Sequence, residues 1–169
     1  MAQVDFALQL DLALRLLLSA VLGAGIGYER EIHDHPAGMR THLLVSLGSA
    51  AFTVISIYGF TNTGIPNEAP TDPSRVAAQI VTGIGFLGAG VILRDDQKHS
   101  VHGLTTAASV WLSACLGIAC GLGCWTTAVM ALALTLVILI FGGPFERAIH
   151  RRLHPKDFLS DAGPPPNNC

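Results

Sequence analysis

Charged and hydroxyl side chains cluster in two short polar stretches of an otherwise apolar chain. The first reads YEREIHDHPAGMRTH and the second LRDDQKHSVHGLTTAAS. In each, a glycine, Gly38 or Gly103, directly precedes an apolar segment and can adopt backbone angles that let the chain turn tightly into a helix. The free N–H groups of such helix N-termini, together with arginines, can hold a carboxylate or a phosphate. This candidate polar cluster comprises Glu29, Arg30, Arg40, Thr41, Arg94, Thr105 and Thr106.

A structural role for the same charges is the simpler interpretation. The acidic and basic members can pair with one another and hold the loops together, and basic residues are expected on the cytoplasmic face of any membrane protein. The sequence leaves both roles open. The residues that would pair are Glu29, Arg30, Arg40, Arg94 and Asp95.

Histidines in the two stretches raise the question of a metal site. Imidazole is a common zinc ligand, and a metal bridge between the two loops is conceivable. No short motif with established metal-ligand spacing is present, so we expect neither a metal nor a cofactor. A hydrolase triad, a phosphate-binding loop and paired catalytic acids are also missing from the sequence, and we expect no enzyme. The residues that would form the metal bridge are His33, Asp34, His35, His99 and His102.

A second polar strip begins at Arg75, continues one turn later at Gln79 and reaches Thr82. Polar side chains within a membrane helix normally face the helix bundle or an aqueous cavity, so this outer-face strip could open a translocation path. Alternatively, it makes hydrogen bonds between helices while its arginine lies at the lipid headgroups. The central helices have no secure acidic residue for Mg²⁺, which prefers carboxylate oxygens, and this counts against a simple magnesium channel.

The elements that position these residues are membrane helices. The chain has 169 residues, of which 50% are hydrophobic and 13% charged, and this composition is too apolar for a soluble domain. The net charge of −2 gives no reason to expect a nucleic-acid partner. Five apolar segments predict an all-α integral membrane domain over residues 1–143, followed by a basic, partly disordered cytoplasmic tail over 144–169. The segments are 6–28, 41–60, 75–93, 104–122 and 125–141.

The segment from 75 to 94 has eighteen uncharged residues between two arginines and is long enough to cross a bilayer. Its glycines would weaken a helix in water but allow close helix contact in lipid, so we expect a central, packed helix. The first helix has a similar ridge that includes Ser19. The predicted helix-packing glycines are Gly23, Gly27, Gly83, Gly85, Gly88 and Gly90.

Arg15 lies within the first helix, four residues after Asp11. We interpret it as an anchor that snorkels to the interface or pairs with Asp11, rather than as a functional charge. Residues 1–14 contain no lysine or arginine, which favours a retained helix over a signal peptide. Cys120 and Cys124 could form a disulfide, but apolar packing is the simpler role for these cysteines.

Basic residues predict the orientation. Eight of the ten lysines and arginines fall on one side of a five-span topology, which places the N-terminus outside and the C-terminus inside. A shift of 65 residues aligns LGAG at 22–25 with LGAG at 87–90, and Gly38 with Gly103. Helices 1–2 and 3–4 are therefore predicted to be a parallel repeat, an arrangement known in transporters, although a duplicated packing unit would look the same.

Four sequence runs resemble one known family. They are LGAGIGYERE, AGMRTHLLVSLG, DPSRVAAQIVTGIGFLGAGVILR and VHGLTTAASVWLSACLGIACG, and they occur in the order seen in the MgtC/SapB family of bacterial inner-membrane proteins. The similarity covers residues 16–123. The family pattern falls on Glu29, Arg30, Gly38, Arg40, Thr41, Arg75, Gln79, the four glycines from 83 to 90, Arg94, Gly103, Thr105 and Thr106.

The resemblance implies five helices, a plasma-membrane location and a role in adaptation to scarce magnesium or acid stress. In pathogens it implies virulence and restraint of the ATP synthase through its membrane sector. Two departures from the family pattern are visible. Thr105 stands where many members have asparagine, and the chain ends without the cytosolic domain of longer members, as expected for a short form.

Three functions are compatible with these sequence features. The first is a non-enzymatic regulator that lies in the lipid bilayer and binds another membrane protein, such as the ATP synthase, through small-residue helix faces. The second is a transporter or channel for an ion such as Mg²⁺ or for a small solute. In the third, the glycine faces only form a homo-oligomer.

Overall fold

The computed structural model describes residues 6–59, 72, 74–95 and 100–153, and the side chains among them except at 93–95, 100 and 144–153. Five helices in this part of the chain are long and apolar enough to cross a membrane, which confirms the predicted fold class. The orientation of the termini stays a prediction. The helices are α1 (Phe6–Ile32), α2 (Met39–Val54), α3 (Ser74–Val91), α4 (Leu104–Gly121) and α5 (Trp125–Leu153).

The connections add details that apolar periodicity does not reveal. A π-helical segment, Ile55–Gly59, extends α2, and an antiparallel hairpin of β1 (Leu93–Asp95) and β2 (Ser100–His102) joins α3 to α4. Gly103 is the N-cap of α4 and has a φ of +90°, a conformation that the predicted backbone freedom of glycine allows. Gly38 occupies the corresponding N-cap position of α2 with an extended backbone, at a φ of −98°. We call the end of the bundle with this hairpin and the α1–α2 loop the hairpin end, and the other the far end.

Helices α1, α2 and α4 form a closely packed core. A Cβ on Gly23 would lie 2.6 Å from the carbonyl oxygen of His42, and one on Gly27 would collide with Met39. On α4, a Cβ on Gly121 would lie 2.7 Å from the side chain of Thr53. These glycines allow both outer helices to approach the backbone of α2, as small residues do between membrane helices.

A matched pair of glycine substitutions tests this packing. In Gly117→Ala the new methyl group would collide with the carbonyl oxygen of Ser46, and we expect overpacking to lower the free energy of unfolding by about 1–3 kcal/mol. In Gly85→Ala the methyl group meets nothing within 4 Å, and the gain in helix propensity should stabilise α3 by about 0.5–1 kcal/mol. Unfolding midpoints in one detergent compare the two, and equal shifts would contradict the packing described here.

Helix α3 is not the central helix that its glycine content predicts. Ile84 and Gly88 are the two buried residues among its eighteen, whereas nine of the eighteen residues of α4 are buried. It rests on α4 through Ile84, which packs with Val110 and Ala114. The prediction failed because glycines permit a close helix contact without showing whether the partner belongs to the same chain.

The contacts within the two hairpins follow the predicted repeat. Gly23 of α1 faces His42 of α2, and Gly88 of α3 faces Ala107 of α4, with 3.7 Å between the Cβ of Ala107 and a Cβ built on Gly88. Both members of the second pair lie 65 residues after those of the first. This agreement supports the repeat, which stays a prediction.

Helix α5 continues beyond residue 143, the predicted end of the transmembrane domain, although its apolar span ends at Gly143, and the domain boundary stays a prediction. Its first turns pack in the unit formed by residues 1–135, where Leu132 approaches Gly25 and Ala128 is fully buried. In the second unit, residues 136–169, the helix continues through Pro144 to Leu153, past the predicted end of the fifth apolar segment at residue 141. Turns of helix on both sides hold the backbone in place, although proline removes one hydrogen bond. The predicted disordered end of the tail lies outside the described residues.

Candidate functional site

A buried ion pair lies in the last turns of α1, at the hairpin end. Nε of Arg30 donates to Oε2 of Glu29 at 2.7 Å, and Nη2 donates to Oε1 at 3.2 Å. Both residues are at most 5% exposed, and the remaining guanidinium nitrogen of Arg30 is buried without a hydrogen-bond partner. Their pairing matches the simpler interpretation of the cluster, in which the charges hold the structure together.

The start of α2 already receives a carboxylate from the same chain. Oε2 of Glu31 accepts the backbone N–H of Met39 at 2.8 Å, so the helix N-terminus proposed as an anion site is capped internally. Arg40 and Thr41, which could have completed that site, are exposed. Sequence reasoning missed Glu31 because it lies eight residues before the helix that it caps.

His42 connects α2 to α4 inside the bundle and is fully buried. Its Nδ1 lies 2.9 Å from the carbonyl oxygen of Gly38, and its Nε2 lies 3.0 Å from Oγ of Ser109. A carbonyl oxygen only accepts, so Nδ1 carries a proton. When the ring is neutral, Nε2 has no proton and accepts a hydrogen bond from the Ser109 hydroxyl. That hydroxyl has one proton, so it then cannot donate to the carbonyl oxygen of Thr106, which lies 2.8 Å away. Thr106, a member of the predicted cluster, is buried beside this bridge.

The bridge between His42 and Ser109 can be tested by removing one hydroxyl. Ser109→Ala leaves Nε2 of His42 buried without a partner, and we expect the free energy of unfolding to fall by about 1–2 kcal/mol. The hydroxyl of Ser113 donates to the carbonyl oxygen of Ser109 on its own helix, so Ser113→Ala is a matched control with a smaller effect. Equal losses in chemical unfolding would show that the interhelical bond contributes nothing.

A row of buried hydroxyl groups continues from His42 along α2. Ser46 donates to the backbone carbonyl of Ser19 on α1 at 2.7 Å, a second bond between helices. Ser49 and Thr53 instead donate to carbonyls one turn earlier on α2. These three hydroxyls therefore each have an acceptor, and the row adds no charge to the core. Its members are Ser46, Ser49 and Thr53 on α2 and Ser56 in the π-helical segment that follows.

Arg15 forms a second polar centre at the far end. Its Nη1 donates to the carbonyl oxygen of Gly121 at 2.8 Å, and its Nε lies 2.8 Å from Asp11. Its Cζ lies 6.0 Å from the ring centroids of both Tyr58 and Trp125. The pairing with Asp11 was predicted, but the other contacts show that this arginine joins α1 to three further segments of the chain.

The outer-face strip lies on the exposed side of α3. Arg75, Gln79 and Thr82 are all exposed in this chain, and the hydroxyl of Thr82 donates to the carbonyl oxygen of Ala78 at 3.0 Å. At the start of α3, Oδ1 of Asp72 accepts the backbone N–H of Ser74 at 2.9 Å, as the side chain of an N-cap residue does. Hydrogen bonds from Ser74 hold the pKa of Asp72 below its usual value. In the described residues the strip does not enter the core of α1, α2 and α4.

An apolar groove separates α2 from α3. It has a volume of about 540 Å³, and its walls include Gly48 and Phe52 of α2 and Gln79, Gly83 and Leu87 of α3. Gly48 and Gly83 each have open space where a Cβ would be, so the groove exists partly because both walls contain glycine. It lies on the α3 face that carries Gln79.

The remaining predicted residues are dispersed. Thr105 is exposed, and the side chain of Arg94 lies outside the described part of the chain, as does His99. Among described residues, no three histidine, cysteine or acidic side chains converge as metal donors would. Burial and the nearby charge of Arg30 lower the pKa of His35. The described cysteines at 115, 120 and 124 are free thiols, so Cys120 and Cys124 form no disulfide.

These features define a multi-pass α-helical membrane protein whose described buried charges are held by contacts within the chain. A model of the MgtC family matches residues 16–148, and the chain belongs to this family. The glycines, arginines and buried polar side chains described above within residues 16–148 therefore lie in the part of the chain that the family shares.

Curated relatives agree with this assignment. YhiD of Escherichia coli strain K12, named as a candidate magnesium transporter, is 42% identical over 145 residues, which cover 85% of this chain and 66% of that protein. Protein MgtC of Salmonella typhimurium is 47% identical over 126 residues, covering 75% of this chain and 48% of that protein. The chain thus spans about half to two thirds of these relatives. No solved structure matches it.

Proposed function

We propose that the chain is a non-enzymatic regulator in the bacterial inner membrane, acting in adaptation to low magnesium or acid stress. It binds a transmembrane helix of another membrane protein through the small-residue face of α3, which we define as Ala78, Thr82, Gly85 and Ala89. All four residues are exposed. Membership of the MgtC family supports the physiological part of this proposal.

The glycines of α3 carry the argument for a partner. Gly23, Gly27, Gly117 and Gly121 are explained by close contacts within the chain, whereas a Cβ on Gly85 would meet nothing within 4 Å. Glycine weakens a helix relative to alanine, so a glycine without a close neighbour suggests a helix that approaches from outside the chain. The family resemblance suggests the membrane sector of the ATP synthase as the partner to test first.

Reconstitution with purified ATP synthase tests this interaction. We expect the full chain to reduce ATP-driven proton pumping in proteoliposomes, and Gly85→Trp to relieve the inhibition by blocking helix approach. Val129→Trp on α5 is the control, because Val129 is exposed but lies outside the small-residue face. Unchanged pumping with the unmodified chain would reject the ATP synthase as the partner.

Crosslinking separates a foreign partner from self-association. Gly85→Cys in a chain without its native cysteines should crosslink to the ATP synthase membrane sector in the same proteoliposomes. Crosslinks between copies of this chain alone would support the homo-oligomer instead. Val129→Cys provides the background for random encounters in lipid.

Transport of an ion or small solute is the second candidate. The row of buried hydroxyls from His42 to Ser56 favours it, because polar side chains inside a membrane domain often mark an ion path. If this candidate is right, Mg²⁺ entry into proteoliposomes should require the full chain and should fall in Ser46→Val, which removes one hydroxyl from the row. No flux above that of empty vesicles would count against it.

A further inference from the structure

We propose that the α2–α3 groove binds one acyl chain of an anionic membrane lipid, with the acidic headgroup at Arg75. This site is distinct from the small-residue face used in the proposed function. The groove is lined mainly by apolar side chains, while Gln79 lies on its α3 wall and Arg75 lies one turn earlier, at the far end. An apolar slot with a cationic group beside its mouth matches the chemistry of an anionic lipid.

The dimensions of the groove favour an acyl chain over a helix. Its lining on α3 runs from Val76 to Leu87, about 16 Å at a rise of 1.5 Å per residue. That length is close to one leaflet, half of a hydrocarbon core of about 30 Å. A helix roughly 10 Å across would fill the 540 Å³ within about 7 Å of its length, less than two turns. A transmembrane helix of a second copy is therefore too wide to lie wholly within the groove along its length, whereas one acyl chain is not.

The polar groups around the groove are compatible with this occupant. The hydroxyl of Ser49, in the α2 wall, donates to the carbonyl oxygen of Val45 at 2.8 Å and leaves the wall without an unmet donor. At the mouth, the carboxylate of Asp72 accepts the N–H of Ser74, and the exposed guanidinium of Arg75 can bind a lipid phosphate. Gln79 can donate to the ester carbonyls below the headgroup.

Photolabelling tests the site directly. The full chain is reconstituted in phosphatidylcholine vesicles with a small fraction of phosphatidylglycerol that carries a diazirine within one acyl chain. We expect labels on peptides containing Gly48 and Gly83 to exceed those on the exposed α5 residue Val137. Unlabelled phosphatidylglycerol should compete better than phosphatidylcholine by roughly fivefold, the effect of about one basic residue near an anionic lipid.

Two kinds of variant separate the acyl chain from the headgroup. Gly48→Leu and Gly83→Leu, each alone and together, fill the groove and should reduce its labelling to the level of Val137. Gly90→Leu is the matched control, because its site is also open and lies outside the groove lining. Arg75→Gln should abolish the preference for phosphatidylglycerol but leave labelling of the groove by a phosphatidylcholine probe.

The proposal is overturned if the groove is labelled no more than Val137, or if the folded leucine variants label as strongly as the unmodified chain. Crosslinks from the groove to a second copy of the chain would also overturn it, by showing that protein covers this face. The inhibition of ATP synthase and the crosslinks at Gly85 involve the other face of α3. The two proposals can therefore fail independently.

Discussion

Glu29→Gln should destabilise the protein by about 3–5 kcal/mol, the usual cost of leaving one member of a buried ion pair without its partner. Arg30 would keep its charge at 4% exposure, and its guanidinium already has one buried nitrogen without a hydrogen bond. The loss should appear as a large fall in the unfolding midpoint of the purified protein and as a lower yield from membranes.

A double-mutant cycle shows whether the charge itself is responsible. Glu29→Gln combined with Arg30→Leu removes both charges, and we expect this chain to be more stable than Glu29→Gln alone. Asp34→Asn is the control, because Asp34 is exposed and asparagine accepts its φ of +55°. If the double variant lost as much stability as Glu29→Gln and Arg30→Leu lose together when measured singly, the two residues would act separately.

The extent of the membrane domain could be predicted from sequence because bilayer thickness fixes the length of an apolar helix. The five observed helices overlap the five predicted segments. The hairpin of β1 and β2 was not predicted, since its strands are three residues long and lie in a charged stretch. The fifth segment was predicted to end at residue 141, but α5 continues through Pro144 to Leu153.

The candidate site was less predictable because its contacts join distant parts of the chain. A histidine within an apolar run gives no spacing signal, and Ser109 lies 67 residues after His42. Local sequence also does not separate Gly23, which touches α2, from Gly83, which has open space around it. Both belong to glycine-rich apolar runs, and their partners alone distinguish them.

The two ion pairs, Glu29 with Arg30 and Arg15 with Asp11, could each be predicted only in part from the sequence. Glu29 and Arg30 were predicted as members of one charged cluster that pairs within itself, whereas their burial depends on how α1 packs. Arg15 has its predicted neighbour Asp11 four residues earlier, but its bond to Gly121 crosses 106 residues. Each pair was visible within one helix turn, and the tertiary contacts that give it its role were not.

Arg15→Met should be the other strongly destabilising substitution, at roughly 2.5–5 kcal/mol. It removes a charge-assisted bond to the last turn of α4, worth about 1.5–3 kcal/mol, and two cation–π contacts of about 0.5–1 kcal/mol each. The partly exposed pair with Asp11 adds little. We expect a lower unfolding midpoint and faster hydrogen exchange at the far ends of α1 and α4.

Two conservative variants separate these contributions. Arg15→Lys keeps the charge and loses the planar fork, so it should retain about half of the stability that Arg15→Met loses. Asp11→Asn removes only the exposed ion pair and should change the free energy of unfolding by no more than about 0.5 kcal/mol. If Asp11→Asn were as harmful as Arg15→Met, the arginine would act through its helical neighbour alone. The contact between Arg15 and Gly121 would then not hold α1 to α4.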